Sequence, residues 1–181
     1  MDPEEIGEEF GRIGRRLFTA GLLSANFGNM SVRSGDGFYI TRTGSFLDVP
    51  EEPVYVPLAG PVPEHASSEY RVHREIYKIT THHAVVHAHP PHAIALSFST
   101  ATITPMDSEG VMFCPSMPVI EGKPGSEELA ENVARGLLSS CVAVARGHGT
   151  FAGGKNLDEA YIRTSLIEHS CRILILTGKS K

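Results

Sequence analysis

The sequence predicts a single α/β domain spanning residues 1–181, because helical and strand patterns follow one another along its length. The chain opens on an amphipathic helix whose apolar residues recur every three or four positions: Ile6, Phe10, Ile13 and Leu17. The segments 84–89 and 141–145 are short apolar runs, typical of buried strands. Helical patterns return after Ser126 and from Asn156 or Asp158 onward.

The bulk composition is that of an ordinary globular protein. The sequence is 41% hydrophobic and 20% charged, with a formal net charge of −5. A nucleic-acid partner is not indicated, since such proteins carry a basic patch or stripe. No apolar run approaches the roughly 18 residues of a membrane-spanning helix, and the acidic N-terminus lacks a signal-peptide pattern. We therefore expect a cytoplasmic protein that does not bind membranes.

The three cysteines are widely spaced, which favours buried thiols over a disulfide framework or a zinc ribbon: Cys114, Cys141 and Cys171.

The first helix is predicted from Asp2 to Leu23, with Gly21 as a plausible end. Asp2 is a suitable cap, and Pro3 occupies the favoured first position. Three arginines lie off the apolar face, where we expect a solvated surface: Arg12, Arg15 and Arg16.

A β-hairpin is predicted next, because short alternating segments flank the turn at 34–37. A proline-rich loop over 46–66 follows, with a short strand at 54–56. A second helix should start within 66–69, capped by Ser67 or Ser68. Its inner face is predicted to consist of Tyr70, His73, Ile76 and Tyr77.

The central region is less regular. A short helix is predicted at 93–98, and two short strands among the prolines of 99–125. Asp107 and Glu109 lie in that stretch. Ser126 then caps a helix with a clear apolar face: Leu129, Val133 and Leu137.

Two histidines at the end of the first apolar run are candidate metal ligands. Side chains alternate faces along a strand, so His87 and His89 should project from the same face. A third ligand is available at His148, in a glycine-flanked turn after the strand at 141–145, and a carboxylate at Glu69. Three neutral imidazoles with a carboxylate would suit a catalytic zinc site. A structural role for the pair remains open at this point.

Other histidines compete for the same role. His82 and His83 precede the strand and are expected to be exposed, whereas two prolines should turn His92 away from the strand face. Three more have no partner pattern and are interpreted as ordinary surface or core residues: His65, His73 and His169.

Small polar residues recur before the histidines, in the pairs Gly28–Asn29, Thr43–Gly44 and Ser67–Ser68. Each pair alone is typical of a turn or a helix cap. Glycine backbone amides and a helix N-terminus also bind anions, so the three pairs would form an anion site if they converged.

Taken together, five segments resemble the class II aldolase/adducin family, and within it the L-fuculose-1-phosphate aldolases. They occur in the family's order over residues 28–149, with similar separations: Gly-Asn-Met-Ser at 28–31, Ile-Thr-Arg-Thr-Gly at 40–44, Ser-Ser-Glu at 67–69, Val-His-Ala-His at 86–89 and Gly-His-Gly at 147–149. The resemblance implies a three-layer α/β/α sandwich around a largely antiparallel central sheet.

The resemblance also implies the roles of the site residues. One Zn²⁺ per subunit would be held by His87, His89 and His148, with Glu69 beside it as a ligand and as the catalytic base. A substrate phosphate would be bound without an obligatory lysine or arginine by Gly28, Asn29, Thr43, Gly44, Ser67 and Ser68. The family assembles as homotetramers with active sites near subunit boundaries, so a homotetramer is expected.

The implied reaction is that of a zinc-dependent aldolase, a class II aldehyde-lyase. It would cleave or form a short ketose 1-phosphate, from dihydroxyacetone phosphate and an aldehyde such as lactaldehyde, through a metal-stabilised enediolate. In the related aldolases, donation of a proton to the aldehyde oxygen is associated with one tyrosine in the region matching 103–113 and another in a C-terminal tail. This sequence has no tyrosine between Tyr77 and Tyr161 and ends at Lys181, so neither counterpart is expected. Asp107 and Glu109 lie in the matching region and are weak candidates for the same role.

Several alternatives remain. A methylthioribulose-1-phosphate dehydratase would share the zinc and phosphate sites. A ribulose-phosphate 4-epimerase is disfavoured because those enzymes carry aspartate where this chain has Glu69. A decarboxylase of a hydroxylated aromatic acid would not explain the phosphate elements. A non-catalytic, adducin-like interaction module would not need to keep three histidines and a carboxylate.

Overall fold

The computed structural model describes residues 2–179. Its strands are β1 (Asn29–Ser34), β2 (Gly37–Ile40), β3 (Val54–Pro57), β4 (Ala84–Ala88), β5 (Thr102–Ile103), β6 (Met117–Ile120), β7 (Val142–Ala145) and β8 (Gly149–Gly154). Its helices are α1 (Pro3–Thr19), α2 (Tyr70–Ile79), α3 (Pro91–Ser97), α4 (Ser108–Phe113), α5 (Glu127–Gly136) and α6 (Leu157–Leu176).

The strands form one eight-stranded sheet in the order β3-β2-β1-β4-β8-β7-β6-β5. Within the described residues β6 and β7 are the one parallel pair of neighbours, and the others are antiparallel. Apolar residues of α2 and α5 pack on one face, and those of α1, α3 and α6 pack on the other. The predicted α/β/α sandwich with a largely antiparallel sheet is confirmed.

Helix α1 begins as predicted and ends earlier. Asp2 forms a capping box with Glu5, and the predicted apolar face is buried. The helix ends at Thr19, before Gly21 adopts a φ of +68°. The prediction of a purely solvated arginine face was wrong for Arg12. Its guanidinium donates two hydrogen bonds of 2.9 and 2.7 Å to Asp158 at the start of α6.

The register of the central strands determines where the site lies. Asn29 at the start of β1 is opposite His87 in β4, and His87 is opposite Phe151 in β8. Val85 lies two residues before His87 and belongs to the core on the α2 and α5 side. The His87 side chain therefore points to that same face of the sheet.

Helix α2 starts later than the sequence indicated. Glu69 occupies its N-cap position and makes no side-chain cap hydrogen bond, so neither Ser67 nor Ser68 caps the helix as expected. Ser67 Oγ instead accepts a 3.4 Å hydrogen bond from the Glu69 backbone amide. The buried face of α2 includes His73, Ile76 and Tyr77 as predicted, together with Val72.

The segment 99–125 differs most from expectation. Its two predicted strands are present as β5 and β6, but the apolar run that ends at Phe113 forms α4. Asp107 caps that helix by accepting a 2.8 Å hydrogen bond from the Gly110 amide. Met112 and Phe113 are largely exposed, because a helix this short cannot turn every apolar side chain toward the sheet.

Three further features were predicted from the sequence. The cysteines are free thiols; Cys114 and Cys171 are buried and Cys141 is half-buried. His82 is half-buried, where an exposed side chain was expected. Within residues 2–179 no helix combines the length and apolar character needed to cross a bilayer.

Candidate active site

Three histidine side chains meet at one end of the central sheet. His87 lies in β4, His89 directly follows that strand, and His148 lies in the turn between β7 and β8. Their potential ligand atoms all lie within 4.8 Å of one another. The Nε2 atoms of His87 and His89 are 3.1 Å apart. Antiparallel pairing of β4 with β8 brings the distant third histidine to the local pair.

The surroundings of the imidazoles determine which nitrogen atoms are available. His87 Nδ1 lies 2.9 Å from the Thr150 backbone carbonyl, which can only accept, so Nδ1 carries the proton and Nε2 is free. Phe151 stacks on the His87 ring at 4.2 Å between centroids, and Phe27 stacks on His89 at 5.7 Å. The rings are therefore held in place without a ligand.

Electrostatics keep this cluster neutral. Burial, together with the neighbouring His148 and His89, holds the pKa of His87 well below its usual value. Burial, followed by His148, lowers the pKa of His89 to about 4, and burial lowers the pKa of His148. Neutral imidazole is the form that ligates metal.

The donor set fits a zinc ion. Zinc–nitrogen distances of about 2.0–2.1 Å in a tetrahedral site place two ligand nitrogens about 3.3 Å apart, close to the 3.1 Å between the Nε2 atoms of His87 and His89. The Nδ1 atom of His148 is buried and has no hydrogen-bond partner among the described residues. A buried imidazole nitrogen without a partner, on one of three clustered histidines, is a group that a bound ion could satisfy.

Glu69 lies beside this cluster but outside the group of three whose ligand atoms converge. Its side chain is buried, and Oε2 has no hydrogen-bond partner within residues 2–179. Burial raises the pKa of the Glu69 carboxyl, although the Gly125 backbone amide and the charge of Arg71 oppose the shift. A carboxylate whose pKa is raised is a stronger base than an exposed one, which suits Glu69 to accepting and returning a proton.

A cavity of about 170 Å³ extends from the histidines. Its walls include every residue predicted for the site: Gly28, Asn29, Thr43, Gly44, Ser67, Ser68, Glu69, His87, His89 and His148. The three pairs of small polar residues therefore converge, as an anion site requires. Their roles as ligands stay predictions.

Gly28 shows why one of these positions needs glycine. Its φ is +87°, and a Cβ atom there would lie 2.6 Å from Leu23 Cδ2 and 2.7 Å from the His87 carbonyl oxygen. No larger residue fits between β4 and the turn that starts the cavity. Gly44 also has a positive φ, of +77°, but faces open space.

Three cavity residues were missed from the sequence: Asn26, Phe27 and Arg42. The phosphate site is predicted to need no lysine or arginine, and this stays a prediction, although Arg42 lines the same cavity. Its guanidinium makes no hydrogen bond or ion pair with the residues that the structure describes. Its position in the sequence, between Thr41 and Thr43 in the segment 40–44, could have indicated that Arg42 lies at the site. By contrast, Asp107 and Glu109 are not among the residues that line the cavity.

A fourth residue contacts the cavity wall from behind. His73 is a core residue, as its place on the inner face of α2 predicts, and its Nε2 atom lies 2.6 Å from Asn29 Oδ1. The sequence held no local signal for this contact, because it joins β1 to α2 across 44 positions.

Comparison with known proteins agrees with this geometry. Residues 8–175 match the family model described as the Class II Aldolase and Adducin N-terminal domain. An L-fuculose phosphate aldolase from Methanococcus maripaludis is 31% identical over 180 residues, covering 95% of this chain and 97% of that protein. A crystal structure of l-fuculose-1-phosphate aldolase from Thermus thermophilus superimposes with a TM-score of 0.90 at 42% identity, covering 93% and 91% of the two chains.

A third relative has a different reaction in its name. A probable bifunctional methylthioribose-1-phosphate isomerase/methylthioribulose-1-phosphate dehydratase from Nocardia farcinica is 27% identical over 209 residues. The match covers 97% of this chain and 36% of that larger protein.

Proposed function

The chain belongs to the class II aldolase and adducin family, and we propose that it is a zinc-dependent aldolase acting on a short ketose 1-phosphate. Its products in cleavage would be dihydroxyacetone phosphate and an aldehyde such as lactaldehyde. One observation carries the proposal. Three neutral imidazoles and a buried carboxyl line the same cavity as glycines, hydroxyls and an amide.

The glycines, hydroxyls and amide of the cavity would hold the substrate phosphate. Asn29 and Thr43 offer an amide and a hydroxyl, and Gly28 leaves the backbone accessible. Ser67 and Ser68 lie just before Glu69, the N-cap of α2, where free backbone amides and the helix dipole favour an anion. Phosphate held there would place the ketose carbons toward the histidines and align them for reaction.

The zinc ligands and Glu69 would carry out the chemistry. Zinc held by His87, His89 and His148 would act as a Lewis acid and stabilise the negative charge that develops as the carbon–carbon bond breaks. Glu69 would move the proton at the reacting carbon: its carboxylate removes the proton in synthesis, and its carboxyl returns it in cleavage. The raised pKa of Glu69 makes its carboxylate a stronger base than an exposed one.

We extend the proposal to a homotetramer in which the cavity lies near a subunit boundary. Phe27, at the cavity wall, is 52% exposed, and the exposed apolar side chains of α4 also need a covering surface. Within the described chain no tyrosine lines the cavity.

The test is condensation of dihydroxyacetone phosphate with a panel of aldehydes, using the zinc-loaded full chain. We expect a ketose 1-phosphate to form with at least one short aldehyde, lactaldehyde among them. If no ketose phosphate forms with any aldehyde, the aldolase assignment is wrong.

The second candidate is methylthioribulose-1-phosphate dehydratase, which the relationship to the Nocardia protein supports. It requires the same phosphate and zinc sites. Loss of water from methylthioribulose 1-phosphate, with no condensation in the aldehyde panel, would favour it. A non-catalytic adducin-like module would be favoured instead by purified protein that binds no stoichiometric zinc and turns over neither substrate.

A further inference from the structure

Four buried polar side chains form a line behind the cavity wall. Tyr77 Oη lies 2.7 Å from Ser31 Oγ, and Ser31 Oγ lies 2.6 Å from His73 Nδ1. His73 Nε2 lies 2.6 Å from Asn29 Oδ1. All four side chains are at most 5% exposed. None of Ser31, His73 and Tyr77 touches the cavity, whereas Asn29 lines it.

The direction of these hydrogen bonds follows from the need to pair every buried proton. If Tyr77 donates to Ser31, Ser31 donates to His73 Nδ1 and His73 Nε2–H donates to Asn29 Oδ1, so each proton has an acceptor. In the reverse direction the Tyr77 hydroxyl proton would have no acceptor among the described residues. An unpaired buried donor is costly, so the first direction is preferred.

This direction determines what Asn29 presents to the cavity. A carboxamide whose oxygen accepts from His73 must turn its NH₂ group away from that contact. Asn29 is otherwise free to flip, and the flipped amide would offer an oxygen to an anionic ligand. A donor toward phosphate is favourable, whereas a carbonyl oxygen toward phosphate is repulsive.

We infer that Tyr77, Ser31 and His73 form a directional hydrogen-bond chain that fixes the Asn29 amide with its NH₂ group toward the cavity, which makes His73 a positioning residue for the substrate phosphate. The inference rests on the proposed function for the identity of the anion. His73 is fully buried, and burial lowers its pKa to about 3, so the ring stays neutral, as this arrangement needs. His73 itself touches no substrate.

The ring's tautomer gives a test that is independent of any ligand. In the zinc-loaded full chain, long-range ¹⁵N–¹H correlation should show His73 protonated at Nε2 and unprotonated at Nδ1. A proton on Nδ1, or on both nitrogens, at neutral pH overturns the inference.

Inorganic phosphate then tests the consequence. His73→Phe keeps an aromatic ring but removes the donor, and should raise the Kd for phosphate by about tenfold. His73→Gln restores a donor toward Asn29 and an acceptor toward Ser31, and should return the Kd to within about twofold of the wild-type value. Ile76→Ala is the matched control. It removes buried volume from the same helix, and the Ile76 side chain takes no part in the hydrogen-bond chain.

The outcomes separate two kinds of failure. If His73→Phe and Ile76→Ala change the phosphate Kd equally, His73 has only a structural role and the inference is wrong. If the wild-type protein binds no phosphate, the phosphate site of the proposed function is wrong, and with it the positioning role. The tautomer still shows in that case whether the hydrogen-bond chain itself exists.

Discussion

The Nδ1 atom of His87 lies 2.9 Å from the backbone carbonyl oxygen of Thr150. This contact joins β4 to β8 and makes Nδ1 the protonated nitrogen, so Nε2 faces His89 and His148 as a free electron pair. The sheet itself thus sets the tautomer of the candidate metal ligand. A ligand oriented by a backbone carbonyl is held more firmly than one held by packing alone.

Loss of one imidazole should abolish stoichiometric zinc binding. His148→Ala leaves two ligands, too few to complete a protein zinc site. We expect about one zinc per wild-type chain and far less in the variant, measured by elemental analysis after dialysis. Chelation should also lower the Tm of the wild-type protein, because zinc binds the folded state and stabilises it.

His92→Ala is the control for this experiment. His92 lies three residues after His89 but pairs with Glu168 at 2.6 Å and does not line the cavity. Unchanged zinc content in His148→Ala would show that the three histidines do not hold the metal.

Replacement of Glu69 should separate chemistry from folding. Glu69→Gln keeps the shape of the side chain and removes its basic form, so kcat should fall by roughly 10²- to 10⁴-fold. Its zinc content should be largely kept, since three imidazoles converge without Glu69. Kinetics of ketose phosphate formation measure kcat. Metal analysis and a thermal melt of the same sample measure its zinc content and its folding.

Glu64→Gln provides the comparison, because Glu64 is an exposed carboxylate a few residues away that does not line the cavity. Near-normal turnover in Glu69→Gln would remove Glu69 from its assigned role.

The metal cluster could be predicted because most of the pattern that indicates it lies in short stretches of sequence. Side chains alternate along a strand, so His87 and His89 lie on one face. His148 lies in a glycine-flanked turn, which is a suitable place for a third ligand. The phosphate elements are weaker, since each pair of residues is ordinary turn chemistry. Their convergence follows from the sheet order, in which β1 lies beside β4. The resemblance, rather than the periodicity, indicated this convergence.

The remaining features depend on contacts that no local pattern contains. The role of His73 requires Ser31 and Asn29 from β1 to face α2 across the core. Helix α4 was missed because its apolar residues have no helical period and its cap, Asp107, also suits a turn. The α1 arginines were misjudged for the same reason, since Asp158 is 146 positions from Arg12.

Arg42 should strengthen phosphate binding through its charge. Arg42 lines the cavity, and within the described residues no carboxylate pairs with its guanidinium. Arg42→Ala should therefore raise the Kd for inorganic phosphate by about tenfold at low ionic strength, and by less at high salt, because ions screen this partly exposed charge. Calorimetric titration at two salt concentrations measures both effects.

Arg172→Ala removes the same charge from an exposed position on α6, away from the cavity, and should leave phosphate affinity unchanged. Equal losses in the two variants would mean that Arg42 acts only through the net charge of the protein.

The metal-free protein should lose stability as the pH falls below about 6.5. Burial lowers the pKa of His73 to about 3, against an ordinary value of 6.5. Between these two pH values the unfolded chain binds a proton that the folded chain does not. The free energy of unfolding therefore decreases as the pH decreases. His89, with a pKa lowered to about 4, acts in the same direction. Glu69, with a raised pKa, acts in the opposite direction over its own range.

His73→Gln isolates the contribution of this one group. Urea unfolding of metal-free protein between pH 6 and 4.5 should show a slope shallower by up to about 1.4 kcal/mol per pH unit in the variant, the value for one proton. Ile76→Ala should shift the wild-type curve down without changing its slope, since it removes no titratable group. Parallel curves for wild type and His73→Gln would mean that His73 is protonated in the folded protein over this range, and a protonated ring would also break the hydrogen-bond chain to Asn29.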